Sequence, residues 1–170
     1  MMDLFLESDY AGMATPVYGM YMTALLKNFV DRFLPLATPH IRKGADGSFY
    51  HDGRLKQYPR QFFIANSGFP GGGNFDLLKA VMERQGMVLE VYRNCGEILQ
   101  GTEEDSGELE ERLLEYRTVL REAGYEMVSV GRISEETRCK LGMELLSDEE
   151  YMAGANQHWD SEISQAGSEE

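Results

Sequence analysis

Cysteine, basic charge and long apolar runs are all scarce in this chain, and each scarcity closes off a class of function. Cys95 and Cys139 are the only two cysteines in 170 residues, far apart and without CxxC spacing. That excludes a disulfide framework and reads as two free thiols, buried or half-buried, in a reducing cytoplasm. Lys and Arg number 16 against 29 Asp and Glu, for a net charge of −13. A nucleic-acid binder needs a basic footprint, and an anionic membrane surface repels such a chain. No apolar run approaches the roughly 18 residues of a membrane span, and no secretory leader is visible. The expected partners therefore include neither nucleic acid nor membrane, and the expected location is cytoplasmic. His40, His51 and His158 show no HExxH or metal-ligand spacing. No Ser/His/Asp or Cys/His arrangement can be assembled either, so these read as surface histidines, with no catalytic side chain and no metal.

What is present is ordinary for a globular domain with a real core: 42% hydrophobic and 26% charged residues. Met2–Asp9 reads as the end of a helix. Tyr10–Ala14, small and apolar, reads as a buried strand and Thr15–Met20 as a turn. Met22, Leu25, Leu26, Phe29, Val30, Phe33 and Leu34 then mark the buried face of a helix that Pro35 stops. Turns of this kind lie at the carboxyl ends of parallel strands, where ligands bind. Leu36–Arg60 is far longer than the roughly 2–6 residues usual between helix and strand. Its turn signals, Ala45-Asp46-Gly47 and Asp52-Gly53, flank Ser48–His51 and predict a small β-hairpin, either a packing or oligomer contact or a lid.

Gln61–Ala65 is the clearest strand. It runs into the glycine-dense turn Asn66–Gly73, and Asn74 is placed to cap a helix to Gln85 that buries Phe75, Leu78 and Met82, with Leu77 and Val81 beside them. Gly86 suits a left-handed stop, and Met87–Tyr92 follows as a strand. The acidic Glu103–Asp105 reads as a solvated turn before a helix at Glu108–Ala123. That helix carries Leu109, Leu113, Tyr116 and Leu120 on one stripe, with Gly124 as its end. Ser134 and Ser147 can cap later helices, the second as a capping box with Glu150. The polar stretch after Asp160 is expected to fray.

Thr15-Pro16-Val17-Tyr18, then Leu26-Lys27 and Phe29-Val30-Asp31-Arg32, resemble the TPVY…LKxFxDR signature of the NAD(P)H-dependent FMN reductases, a family that includes iron–sulfur flavoproteins. His51 and Arg54 resemble a His-x-x-Arg segment of that family, and Gly131–Trp159 looks like its C-terminal extension. The resemblance implies a flavodoxin-like α/β three-layer fold with a parallel sheet of order 2-1-3-4-5. It implies residues 1–130 as the flavodoxin-like domain, 131–160 as a helical extension and 161–170 as a flexible tail. It further implies an FMN-dependent NAD(P)H oxidoreductase, in which the cofactor performs the chemistry and the protein holds the ring. Tyr18 would stack on or edge the flavin, with Thr15, Pro16, Val17, Gly19 and Met20 shaping the loop. Ser67, Gly68 and Phe69 would form the facing wall, their backbone groups bonding the ring's polar edge. The electron acceptor would be a small molecule or a redox protein.

The family's first strand, phosphate loop and second strand have no counterpart here, nor does its compact cysteine motif. The chain resembles the C-terminal two-thirds of a member, so FMN binding is expected to be weak or absent. The strand Tyr10–Ala14 would form an open edge, which predicts a homo-oligomer. Two alternatives stand beside the reductase: a non-catalytic flavodoxin-like interaction module, and an FMN electron carrier.

Overall fold

The computed structural model describes residues 2–100 and 107–167, and Glu103–Asp105 lie outside them. A short helix α1 (Met2–Glu7) leads into β1 (Tyr10–Tyr18), which turns back on itself as β2 (Tyr21–Met22). Helix α2 (Ala24–Asp31) follows, then a hairpin of β3 (Ala37–Lys43) and β4 (Phe49–Gly53). The rest alternates: β5 (Arg60–Asn66), α3 (Asp76–Gln85), β6 (Leu89–Arg93), α4 (Gly107–Ser129), α5 (Glu135–Leu141) and α6 (Asp148–Ala166).

β1, β5 and β6 form a parallel sheet in the order β2-β1-β5-β6, with only β2 antiparallel. The period-2 alternation of its strands divides two cores. Met13, Phe63 and Ala65 face one side and pack with Met22, Phe75, Leu78 and Met82. Leu89 and Val91 face the other side and pack with Leu113, Tyr116, Val119, Ala123 and Met127 of α4, joined by Ile133, Leu141 and Leu145. Helices cover both faces, as the crossover connections of a parallel sheet require. The fold is therefore α/β with a mostly parallel four-stranded sheet between helical layers.

Coverage is uneven. Ile64 is 39% exposed although β5 is flanked by strands on both sides. Ala14 and Pro16 are exposed on β1, whose outer edge is paired by β2 only at Val17 and Tyr18. Pro16 sits where one side of the strand is unpaired among the described residues, an edge setting in which proline is tolerated.

Several expected boundaries move. β1 does not stop at Ala14 but continues through Thr15–Tyr18, residues whose branched and aromatic side chains suit a strand. The expected turn Thr15–Met20 contracts to Gly19 and Met20, both at positive φ (57° and 66°), the conformation of a tight two-residue hairpin turn. α2 starts at Ala24 because the Thr23 side chain accepts from the Leu26 N–H. Its expected buried face is only half covered: none of its residues is fully buried, and Leu25 is 82% exposed. Phe29 and Phe33 pack on Phe5 of α1, at ring separations of 6.4 and 4.5 Å.

The hairpin forms as expected. Asp46 closes its turn by accepting from the Ser48 N–H at 3.0 Å. Arg54 and His51 have structural work there: Arg54 Nε donates to Ala37 O, and His51 Nδ1 lies 3.2 Å from His40 O. Asn74 does not cap α3. Its amide donates to the Pro70 and Gly71 carbonyls and braces the glycine turn, while a 3-10 turn at Gly73–Phe75 leads into the helix. Leu77, expected beside the core, is exposed. Gly86 does end α3 in the left-handed region, at φ 67°. β6 starts at Leu89, two residues later than expected.

Gly124 does not end α4. The buried stripe continues past it through Ala123 and Met127, and that packing outweighs the roughly 1 kcal/mol helix penalty of one glycine. Ser134 and Ser147 cap α5 and α6, the second in a complete capping box. α6 persists to Ala166, so residues 161–166 are helical where fraying was expected.

Candidate functional site

Parallel pairing of β1 with β5 places Pro16 opposite Asn66, so the Tyr18–Met20 turn and the Ser67–Gly73 turn leave the same end of neighbouring strands. This is the carboxyl end, where open α/β sheets bind ligands. Both aromatics expected at the site are presented to solvent: Tyr18 and Phe69 are each 70% exposed. Met20 is also exposed, Gly19 is in the hairpin turn, and Val17 is half-buried opposite Met22.

Thr15 and Ser67 are instead buried and act as braces. Thr15 Oγ1 donates to Pro16 O at 2.8 Å and accepts from the Thr23 N–H at 3.0 Å, tying β1 to the start of α2. Ser67 Oγ accepts from the Phe69 N–H at 3.1 Å. The Ser67 N–H donates to Arg93 O, and Ser67 O and Phe69 O accept from the Gly96 and Cys95 N–H groups. The backbone groups expected to bond a ring's edge are thus largely engaged within the protein. The facing wall can offer Phe69's ring more readily than these donors.

Three side chains that sequence reasoning passed over, Tyr151, Glu97 and Asp148, converge behind the glycine turn. Tyr151 of α6 donates to Gly68 O at 2.6 Å and is also hydrogen-bonded to the Glu97 carboxylate. Burial and that carboxylate hold its phenol protonated well above the ordinary tyrosine range. Asp148, at the start of the same helix, accepts from the Gly71 N–H at 3.1 Å. The last helix therefore holds the turn at two points. Cys95 lies beside them, buried and at φ 50°.

Burial, with the Asp148 carboxylate next in weight, pushes the Cys95 thiol up to about 11, Arg93 opposing and Glu97 adding to the rise. A thiol needs to ionise before it attacks. At pH 8 Cys95 stays protonated and covered, whereas Cys139 is exposed on α5. Iodoacetamide in native buffer is expected to label Cys139 alone, with Cys95 labelled only after denaturation. Mass spectrometry of the labelled peptides checks this, and equal labelling rates at the two sites would contradict the assignment.

Between the sheet and α4 runs a cleft of about 380 Å³, lined by Ala14, Ile64 and Leu120 together with Thr15, Tyr116 and Arg93. It is the space left by the uneven coverage over β1 and β5, and it reaches the same strand ends as the two turns. Arg93 is 5% exposed at the end of β6. The alternation of β6, with Leu89 and Val91 buried, carried the signal that Arg93 also points inward.

His40, His51 and His158 are all exposed. Among the described residues no three potential ligands come together as a metal site, and no helix is long and apolar enough to cross a membrane. Comparison of the chain with protein-family models, with curated proteins and with solved structures finds no match.

Proposed function

We propose that this chain acts as an FMN-dependent NAD(P)H oxidoreductase of the flavin reductase type, passing electrons to a small molecule or a redox protein. The observation that carries the reading is the exposure of Tyr18 and Phe69 on adjacent turns at the carboxyl end of a parallel sheet. Exposed aromatics held on short, braced turns offer flat apolar surface to a planar heterocycle at little entropic cost. When bound, FMN supplies hydride and one-electron chemistry. The chain's own residues orient it: Tyr18 against the ring, Gly19 and Met20 bringing the hairpin backbone close, and Phe69 opposite. Thr15 and Ser67 fix the two turns from below. The residues fit the ring better than its polar edge, since the Ser67 and Phe69 backbone groups are already paired.

Tyr18→Ala is expected to weaken FMN binding by about 0.5–1.5 kcal/mol through loss of the aromatic contact. Thermal stability should barely change, because the side chain is 70% exposed. Quenching of flavin fluorescence gives the affinity, and an unchanged value in a folded variant would remove Tyr18 from the site.

A second reading, the interaction module, draws on a different observation. The outer edge of β1 and the exposed Ile64 are features a partner chain would cover. A visible flavin absorbance spectrum after reconstitution with FMN favours the first reading over the second.

A further inference from the structure

We infer that the cleft between the sheet and α4 is an anion site in which Arg93 binds the phosphate of a phosphate ester. The choice of FMN as that ester rests on the flavin reading above, while the anion site itself rests on Arg93. The guanidinium is permanently charged, and burying a charge is costly unless it is paired. Arg93 is 5% exposed, yet among the described residues it has no Asp or Glu at ion-pairing distance. Its hydrogen bonds go to neutral acceptors: Nη1 to Met143 O at 2.8 Å, and Nη2 to Asn94 Oδ1 at 3.1 Å. The Tyr116 ring lies 4.9 Å from its centre. Nε is buried with no hydrogen-bond partner among the described residues.

This happens in a chain where acids outnumber bases 29 to 16, so a carboxylate partner was abundant in composition, yet none of the described ones pairs with Arg93. The charge borders a cleft of about 380 Å³, within the roughly 300–1,000 Å³ of small-molecule sites. Its wall at Ala14, Ile64 and Leu120 is apolar, and an ion pair formed against such a wall is poorly screened by water. Thr15 and Pro16 line both this cleft and the hairpin that presents Tyr18. A ligand with its ring at Tyr18 thus has a route for its anionic end toward Arg93.

The test compares FMN with riboflavin, which lacks the phosphate, on the full chain. Wild type should bind FMN roughly 10- to 150-fold more tightly, the range expected of charge-assisted hydrogen bonds. Arg93→Met should abolish that ratio and leave riboflavin affinity unchanged. Ile64→Trp, at a position already 39% exposed, narrows the cleft without touching Arg93 and should also lower the ratio. It decides the matter if Arg93→Met does not fold. Equal affinities in wild type, or a ratio that survives both substitutions, would overturn the proposal while leaving the ring site standing. If neither flavin binds, the flavin reading fails and inorganic phosphate becomes the probe. A rise in melting temperature with phosphate that Ile64→Trp or Arg93→Met abolishes supports the anion site; no rise in wild type overturns it.

Discussion

Phe63→Ala is expected to lower the free energy of unfolding by about 3–5 kcal/mol, the range for deleting a fully buried aromatic side chain. Phe63 is 0% exposed at the centre of β5 and belongs to the cluster of Met13, Phe75, Leu78 and Met82. Its ring lies 6.0 Å from that of Tyr92. The side chain therefore joins three strands to α3, and neighbours from four elements cannot all move in to close the cavity. Domains of this size are stable by only about 5–15 kcal/mol, so the loss is a large share of the total. Urea unfolding should show a lower midpoint at unchanged slope. Phe69→Ala provides the comparison, since the same deletion at a 70% exposed site should cost far less. A loss below about 1 kcal/mol for Phe63→Ala would mean that the sheet does not pack on α3 as described.

Self-association is the second large effect. Among the described residues no strand pairs with the outer edge of β1 from Tyr10 to Pro16, and each ladder bond it forms with a partner is worth about 0.5–1.5 kcal/mol net. The chain is expected to form dimers or larger assemblies whose population rises with concentration in light scattering. Ala14→Lys places a charge on the uncovered face and should shift the distribution toward monomer. Monomers at every concentration in the wild type would refute the expectation.

Local rules carried far in this sequence where a residue's neighbours in the chain decide its conformation. Gly86 stops α3, Ser134 and Ser147 cap their helices, and Asp46 closes the hairpin turn, all as local chemistry requires. Such rules failed where distant contacts compete. Gly124 is a stop signal in isolation, but burial of Ala123 and Met127 carries α4 through it. Thr15 to Tyr18 look like a turn until pairing with β5 and β2 extends them. The candidate site divides the same way. Its second turn was legible from the density of glycine, whereas Pro16 sits inside β1 and the first turn is only Gly19 and Met20. The supports behind it, Tyr151, Asp148 and Glu97, come from segments far along the chain and form no pattern that a local reading could join.

The bond from Tyr151 to Gly68 spans 83 residues, and that separation becomes a delay when the chain is made. At roughly 5–20 residues per second, about 4–17 s pass between synthesis of Gly68 and synthesis of Tyr151. During that interval β1, β5 and α3 can already pair and pack, while the glycine turn lacks both of its α6 contacts. A nascent chain would thus hold a folded sheet before its glycine turn takes final shape. Any molecule that recognises this turn would meet its finished form only after α6 has docked.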